Sequence, residues 1–205
     1  MSEKTKGFTL LELLIVIGIL AILAGVVVLV LNPAELLRQA RDSQRISDLS
    51  TMRSAISLYL ASVDAPNIGV GACVTTCYVN IDVDNAASEG CAGTTDGLIA
   101  GPNGAARHGT KSDLPNAVRL VNASGWVPIN FAGIPGGSPV GVLPVDPINN
   151  TTHFYSYACD GTKFTFEIDA NMESQRYSSG SDDVESVDGG NVPTIYEIGS
   201  DPINL

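Results

Sequence analysis

An unbroken apolar run near the N-terminus constrains this chain more than any other feature. Residues 8–31, FTLLELLIVIGILAILAGVVVLVL, hold 20 hydrophobic residues out of 24. As a helix rising about 1.5 Å per residue they span roughly 36 Å, a little more than the ~30 Å hydrocarbon layer of a membrane. The run is too long for an ordinary core helix. It also exceeds the roughly 7–15 apolar residues of a cleaved secretory signal, and Thr9 and Glu12 stand at its front edge. Removing it leaves a remainder that is about 39% hydrophobic against 44% for the 205-residue whole, ordinary for one modest domain with a single core.

Glu12 is out of place in such a run. A carboxylate just inside an apolar helix costs a few kcal/mol unless it is paired or close to headgroups. Its helical neighbours Thr9, Leu13, Ile15 and Val16 cannot neutralise it, so its partner must be lipid headgroups, water or another chain.

The residues around Glu12 carry a family resemblance. Lys6, Gly7, Phe8, Thr9, Leu10, Leu11, Glu12 and Leu13, with the apolar run behind them, resemble the N-terminal signature of type IV prepilins and type II secretion pseudopilins. The resemblance implies a leader of residues 1–7, cleavage after Gly7 by a dedicated prepilin peptidase on the cytoplasmic side, and methylation of the new Phe8 amine. It further implies that the helix later moves from the bilayer into a filament core with the help of an inner-membrane assembly platform. The chemistry is consistent with this reading. Glycine at the cut lets the backbone enter a narrow protease site without a Cβ. The freed Phe8 amine is a cation buried among apolar helices, and Glu12 of an adjoining subunit is the countercharge that makes this tolerable and sets the stagger.

Flanking charge does not fix orientation, since Lys4 and Lys6 precede the run and Arg38, Arg41 and Arg45 follow it. The short leader and the resemblance place the N-terminus in the cytoplasm. The mature chain is then expected in an extracytoplasmic filament after single-pass residence in the cytoplasmic membrane.

Charge argues against nucleic acid as a partner. Eleven Lys and Arg face 22 Asp and Glu, a net charge of −11. The one basic cluster, Arg38, Arg41, Arg45 and Arg53, is interleaved with Glu35, Asp42 and Asp48, a pattern expected of a solvated or subunit-facing helix surface rather than a phosphate-binding stripe.

Beyond the apolar run, Asn32, Pro33, Ala34 and Glu35 form a helix-restart signature. Either the helix kinks here or a second one begins. Leu49, Met52, Ile56, Tyr59 or Leu60, and Val63 recur at helical spacing, so 32–63 is expected to be an amphipathic helical half. Residues 64–115, rich in Gly, Asn, Asp, Ser and Thr, read as a long loop with one short strand at Val74–Val83. Strands are expected at Trp126–Phe131, His153–Cys159, Lys163–Glu167 and Thr194–Ile198, with Phe164, Phe166 and Ile168 on one face and a turn at Gly161.

The expected fold is therefore α+β, a long N-terminal helix packed on a small antiparallel sheet, with a loop-rich β domain over 64–205. This is also the pilin-like architecture. Leu143, Pro144, Val145, Asp146 and Pro147 resemble the segment leading into the first strands of major pseudopilins, although Ile148 and Asn149 follow where that family has Trp-Gly.

Cys73, Cys77, Cys91 and Cys159 form an even set that suits two disulfides outside the cytoplasm, with three connectivities open. Were 73–77 a strand, Cys73 and Cys77 would lie about 13 Å apart, too far to pair. No CxxC accompanies His108 and His153, so zinc is not expected. Asp182, Asp183, Glu185 and Asp188 crowd seven residues ahead of Gly189 and Gly190. A hard cation would relieve their repulsion, and the resemblance implies calcium at about this place, with Asp182, Asp183 and Asp188 as ligands. No cofactor is otherwise required.

No catalytic constellation emerges. GAARHGTKS at 104–112 places Thr110 where a phosphate loop needs lysine, and Pro115 blocks the following helix. A structural filament subunit is expected, of a pilus or of a secretion or DNA-uptake pseudopilus. The alternative from another class is an extracytoplasmic binding or enzymatic domain on a permanent anchor.

Overall fold

Thr9 starts the first helix. With φ −83° and ψ 151° it stands outside the helix, and its hydroxyl accepts a hydrogen bond from the Glu12 amide at 3.2 Å, satisfying one of the amides a helix start leaves open. In the computed structural model of the chain, residues 7–69, 78–80, 119–150 and 152–200 are described, residues 28–31 by backbone alone. The chain divides into two compact units, Met1–Arg38 and Gln39–Leu205.

In the first unit α1 runs over Leu10–Leu31. Its stretch Leu10–Val27 is long and apolar enough to cross a membrane, and none of it is buried against the rest of the chain. Asn32 ends α1 in a left-handed conformation, φ 39° and ψ 75°, which asparagine tolerates better than most residues. Pro33 has no amide with which to continue the ladder. Instead α2, Pro33–Ser62, begins there, the Asn32 carbonyl accepting from the Glu35 and Leu36 amides. The restart signature thus marks a break between two helices.

The second unit is built on α2 from Gln39 onward. Leu49, Met52, Ile56 and Tyr59 form the buried stripe expected from the sequence, and Leu60 and Val63 pack at its margin. They meet a four-stranded antiparallel sheet in the order β1 (Tyr78–Val79), β2 (Tyr155–Asp160), β3 (Thr165–Ala170), β4 (Tyr196–Gly199). Tyr155, Tyr157, Cys159, Phe166, Ile168 and Ala170 alternate onto the core face, with Tyr157 opposite Ile168 and Ile168 opposite Ile198. Tyr59 meets Phe131 edge-on at 6.1 Å between ring centres. The α+β architecture is the expected one.

Three details differ from the sequence expectation. Trp126, Val127, Ile129 and Phe131 are buried, but the segment is not a strand, apart from an isolated bridge between Asn122 and Asn130. Pro128 in its middle cannot donate to a ladder. The segment instead wedges the indole into the core, Trp126 Nε1 donating to Pro144 O at 2.9 Å, and passes into a 3₁₀ turn at Phe131–Gly133. Phe164 does not share the face of Phe166 and Ile168. It closes the β2–β3 turn at φ 56° and is exposed, while Asp160 accepts from the Thr162 and Lys163 amides at the other side of the turn. The expected strand at Val74–Val83 is described only at Tyr78–Asn80, of which Tyr78–Val79 is β1.

Candidate functional site

The Gly7–Phe8 bond lies ahead of α1, in backbone that is neither helix nor strand. Both residues are exposed, and nothing stands within 4 Å of a Cβ built on Gly7. A protease therefore meets an open peptide bond. Cutting it would leave the Thr9 cap intact and place a new amine one residue before it. Glu12 occupies the first turn of α1, where a carboxylate is favoured by the helix dipole. Its hydrogen bond to Thr9 uses the backbone amide, so the carboxylate is not consumed by the cap.

A second concentration of charge lies in the folded unit, and the sequence reading missed it. Arg45 and Asp42, expected on a solvated helix face, are wholly buried. Arg45 holds Asp146 in a two-pronged contact, Nε to Oδ2 at 2.6 Å and Nη2 to Oδ1 at 2.9 Å. Its Nη1 reaches Asp42 Oδ1 at 2.7 Å and Glu173 Oε1 at 2.6 Å. Arg41 grips the same Glu173, with Nη2 2.6 Å from Oε2. Asp42 accepts from the Glu173 and Ser174 amides, and Asp146 from the Ile148 and Asn149 amides. The wholly buried Arg45 guanidinium is thus paired with three carboxylates, and the partly exposed Arg41 closes Glu173 from outside, the condition under which buried charge is tolerated. Arg53, by contrast, lies in the exposed part of α2 as expected.

The signal for the buried pair was present in the sequence. Asp42 and Arg45 extend the Leu49–Met52–Ile56–Tyr59 stripe by whole helical turns, so their position put them inside while their type argued for outside.

Burial alone would raise the Glu173 pKa, but the Arg41 and Arg45 hydrogen bonds outweigh it and draw the carboxyl down to about 2. A depressed folded pKa gives stability that is present above the unfolded value, ~4.3, and lost as pH falls through the folded one. Glu173 should therefore contribute on the order of 2–3 kcal/mol at neutral pH. Acid titration followed by circular dichroism should show that part disappearing between about pH 4.5 and 2. In Glu173→Gln that acid limb should be shallower; an unchanged limb would refute the assignment.

The residues expected to bind calcium are not brought together as a ligand set. Asp182 pairs with Arg176 at 2.5 Å. Asp183 accepts from the Glu185 and Ser186 amides and the Ser186 hydroxyl. Asp188 accepts from the Gly190 and Glu197 amides. Each closes a local turn, and Glu185 caps the Met172 amide.

A different acidic group does converge. The carboxylates of Glu167 and Asp169 on β3 and Glu197 on β4 lie within 4.8 Å of one another, all buried. The alternation that turns Phe166 and Ile168 to the core turns Glu167 and Asp169 to the opposite face. Ser156, Asp169 and Glu197 stand directly opposite one another across three strands. Ser156 Oγ donates to Asp169 Oδ2 at 3.0 Å, and the Val192 amide to Glu197 Oε2 at 2.7 Å. Burial, compounded by mutual repulsion, pushes Glu167 and Asp169 well above the usual carboxylate range and raises Glu197. The loop between α3 (Gln175–Ser178) and β4 packs against Glu197. A Cβ on Gly190 would overlap the Glu197 carboxylate, so the close approach requires glycine. From the sequence alone Glu167 and Asp169 read as the wet face of a strand, yet each is only 1% exposed.

Of the four cysteines, Cys73, Cys77 and Cys91 lie outside the described residues. Cys159 is buried on the core face of β2 and is not free.

No curated protein and no solved structure matches the chain. Its residues 4–28 match the family model described as the prokaryotic N-terminal methylation motif. That match covers residues 4–6, the Gly7–Phe8 bond, Glu12 and most of α1, and so the chain carries the prepilin-type signature of type IV pilins and pseudopilins.

Proposed function

We propose that this chain is a structural subunit of a type IV pilus-like or type II secretion pseudopilus filament, with no catalytic role of its own. In this reading a prepilin peptidase cuts after Gly7 and methylates Phe8. The subunit waits in the cytoplasmic membrane with its N-terminus inside, then enters the filament through α1. Its partners are further copies or related pilins, the peptidase and the inner-membrane assembly platform. The observation that carries the reading is the methylation motif at 4–28, set on an exposed Gly7–Phe8 bond ahead of an apolar helix.

Assembly supplies Glu12 with the partner it lacks within α1. A neighbour's Phe8 amine is cationic, and pairing it with Glu12 neutralises two charges that a shifted register would strand among apolar side chains. In the same reading Cys159 joins one of Cys73, Cys77 and Cys91, tying the long loop to the sheet from outside the cytoplasm.

Mass spectrometry of the N-terminal peptide, after co-expression with a prepilin peptidase, tests the proposal. The expected product begins at Phe8 and carries one methyl group on its amine. A leader that stays intact would instead support a permanently anchored extracytoplasmic domain.

A further inference from the structure

We propose that Glu167, Asp169 and Glu197 form a divalent-cation site of the calcium class on the sheet face turned away from α2. The site is distinct from the turn formed by Asp182, Asp183 and Asp188, and it is built on strands rather than on a loop. Two observations carry it independently of acidic composition. The first is convergence, since ladder pairing sets Asp169 directly against Glu197 with Glu167 two residues along the same face. Like charges so placed are destabilising without a counterion.

The second is the state of the oxygens. Glu167 Oε2 and Asp169 Oδ1 are buried, in side chains only 1% exposed, and have no hydrogen-bond partner. Native interiors leave few such atoms, and a buried carboxyl oxygen with no donor beside it is open to a cation. Among the described residues no lysine or arginine forms an ion pair with any of the three, although arginines neutralise Asp42, Asp146 and Glu173. The fold thus supplies arginines to one acidic group and, among the described residues, none to this one.

The donor set selects the ion. Three carboxylates offer hard oxygen and neither nitrogen nor sulfur, which disfavours zinc. Oxygens within 4.8 Å of one another suit an ion held at about 2.3–2.6 Å, with irregular geometry and bidentate carboxylates. Magnesium prefers about 2.0–2.1 Å and keeps several waters, for which a site this covered has little room. The Asp188–Val192 segment, fixed by the Glu197 and Gly190 amides on Asp188 and by the Val192 amide on Glu197, is the lid over the ion.

The test uses the full chain in detergent, stripped of metal with a chelator and titrated with calcium chloride by calorimetry. One saturable site is expected, with a melting temperature that rises with calcium by mass action and a weaker response to magnesium at equal concentration. Glu167→Gln and Glu197→Gln should each weaken calcium at least tenfold, whereas Asp182→Asn and Asp183→Asn should leave it within twofold. No calcium-dependent melting shift at millimolar calcium would overturn the proposal in the unaltered chain, whether or not the variants fold. Binding lost in Asp183→Asn but kept in Glu167→Gln would overturn it in favour of the loop.

Discussion

Replacing Arg45 with alanine should cost the folded unit about 3–5 kcal/mol, the penalty for removing one partner from a buried ionic network, and lower its melting temperature by on the order of 10 °C. The loss exceeds that of a packing contact because of what remains. Asp146 loses both prongs of its arginine, and Asp42 and Glu173 are left as carboxylates in an interior that held two positive charges against three negative ones. Arg45→Lys should fall between wild type and alanine. A lysine restores the charge but not the planar fork that meets Asp146 at 2.6 and 2.9 Å while also reaching Asp42 and Glu173. Thermal melts followed by circular dichroism decide the matter, and a loss below about 1 kcal/mol for Arg45→Ala would place this network with surface ion pairs.

Glu12→Ala should abolish filament assembly while leaving membrane insertion intact. The expectation rests on the proposed pairing with a neighbouring Phe8 amine. Insertion should survive because the substitution removes a carboxylate from the apolar run, relieving a cost of a few kcal/mol. The start of α1 should survive because the Thr9 hydroxyl is held by the Glu12 backbone amide, which alanine also supplies. Glu12→Gln, nearly the same shape without the charge, separates pairing from packing. Membrane fractionation and electron microscopy of sheared filaments are the readouts. Filaments of normal number and order from Glu12→Gln would mean that charge does not set the register.

The elements most legible in the sequence were those whose cause is local. The span of α1, an interruption at Asn32 and Pro33 that could be kink or break, and the Leu49–Tyr59 stripe follow from composition, backbone chemistry and helical period, none of which needs a distant partner. Strands were legible in existence more than in extent. β2, β3 and β4 fall where aromatic and β-branched residues alternate, yet Trp126–Phe131 has similar composition and forms no strand because Pro128 interrupts it. What stayed hidden was every feature made by residues far apart. Arg45 looks like a surface residue until Asp146 and Glu173 arrive, and Glu167 and Asp169 look like a wet face that the folded chain nonetheless buries. In both cases residue type pointed outward and the decision lay in a contact the local pattern cannot encode. The methylation motif was legible because its parts lie within a few residues of one another.

The Arg45 network also imposes an order of events on a chain made from its N-terminus. Arg45 and Asp146 are 101 residues apart, and Asp42 meets the Ser174 amide across 132. Helix α2 therefore emerges long before the groups that neutralise it, and contacts of such separation form late because a long loop must close first. Until residue 174 is available, the stripe of α2 is an incomplete surface with charges at one end and bare Leu49, Met52 and Ile56 at the other. Synthesis stalled or truncated before that point should yield a membrane-tethered helix that cannot complete its fold, a natural substrate for quality-control proteases.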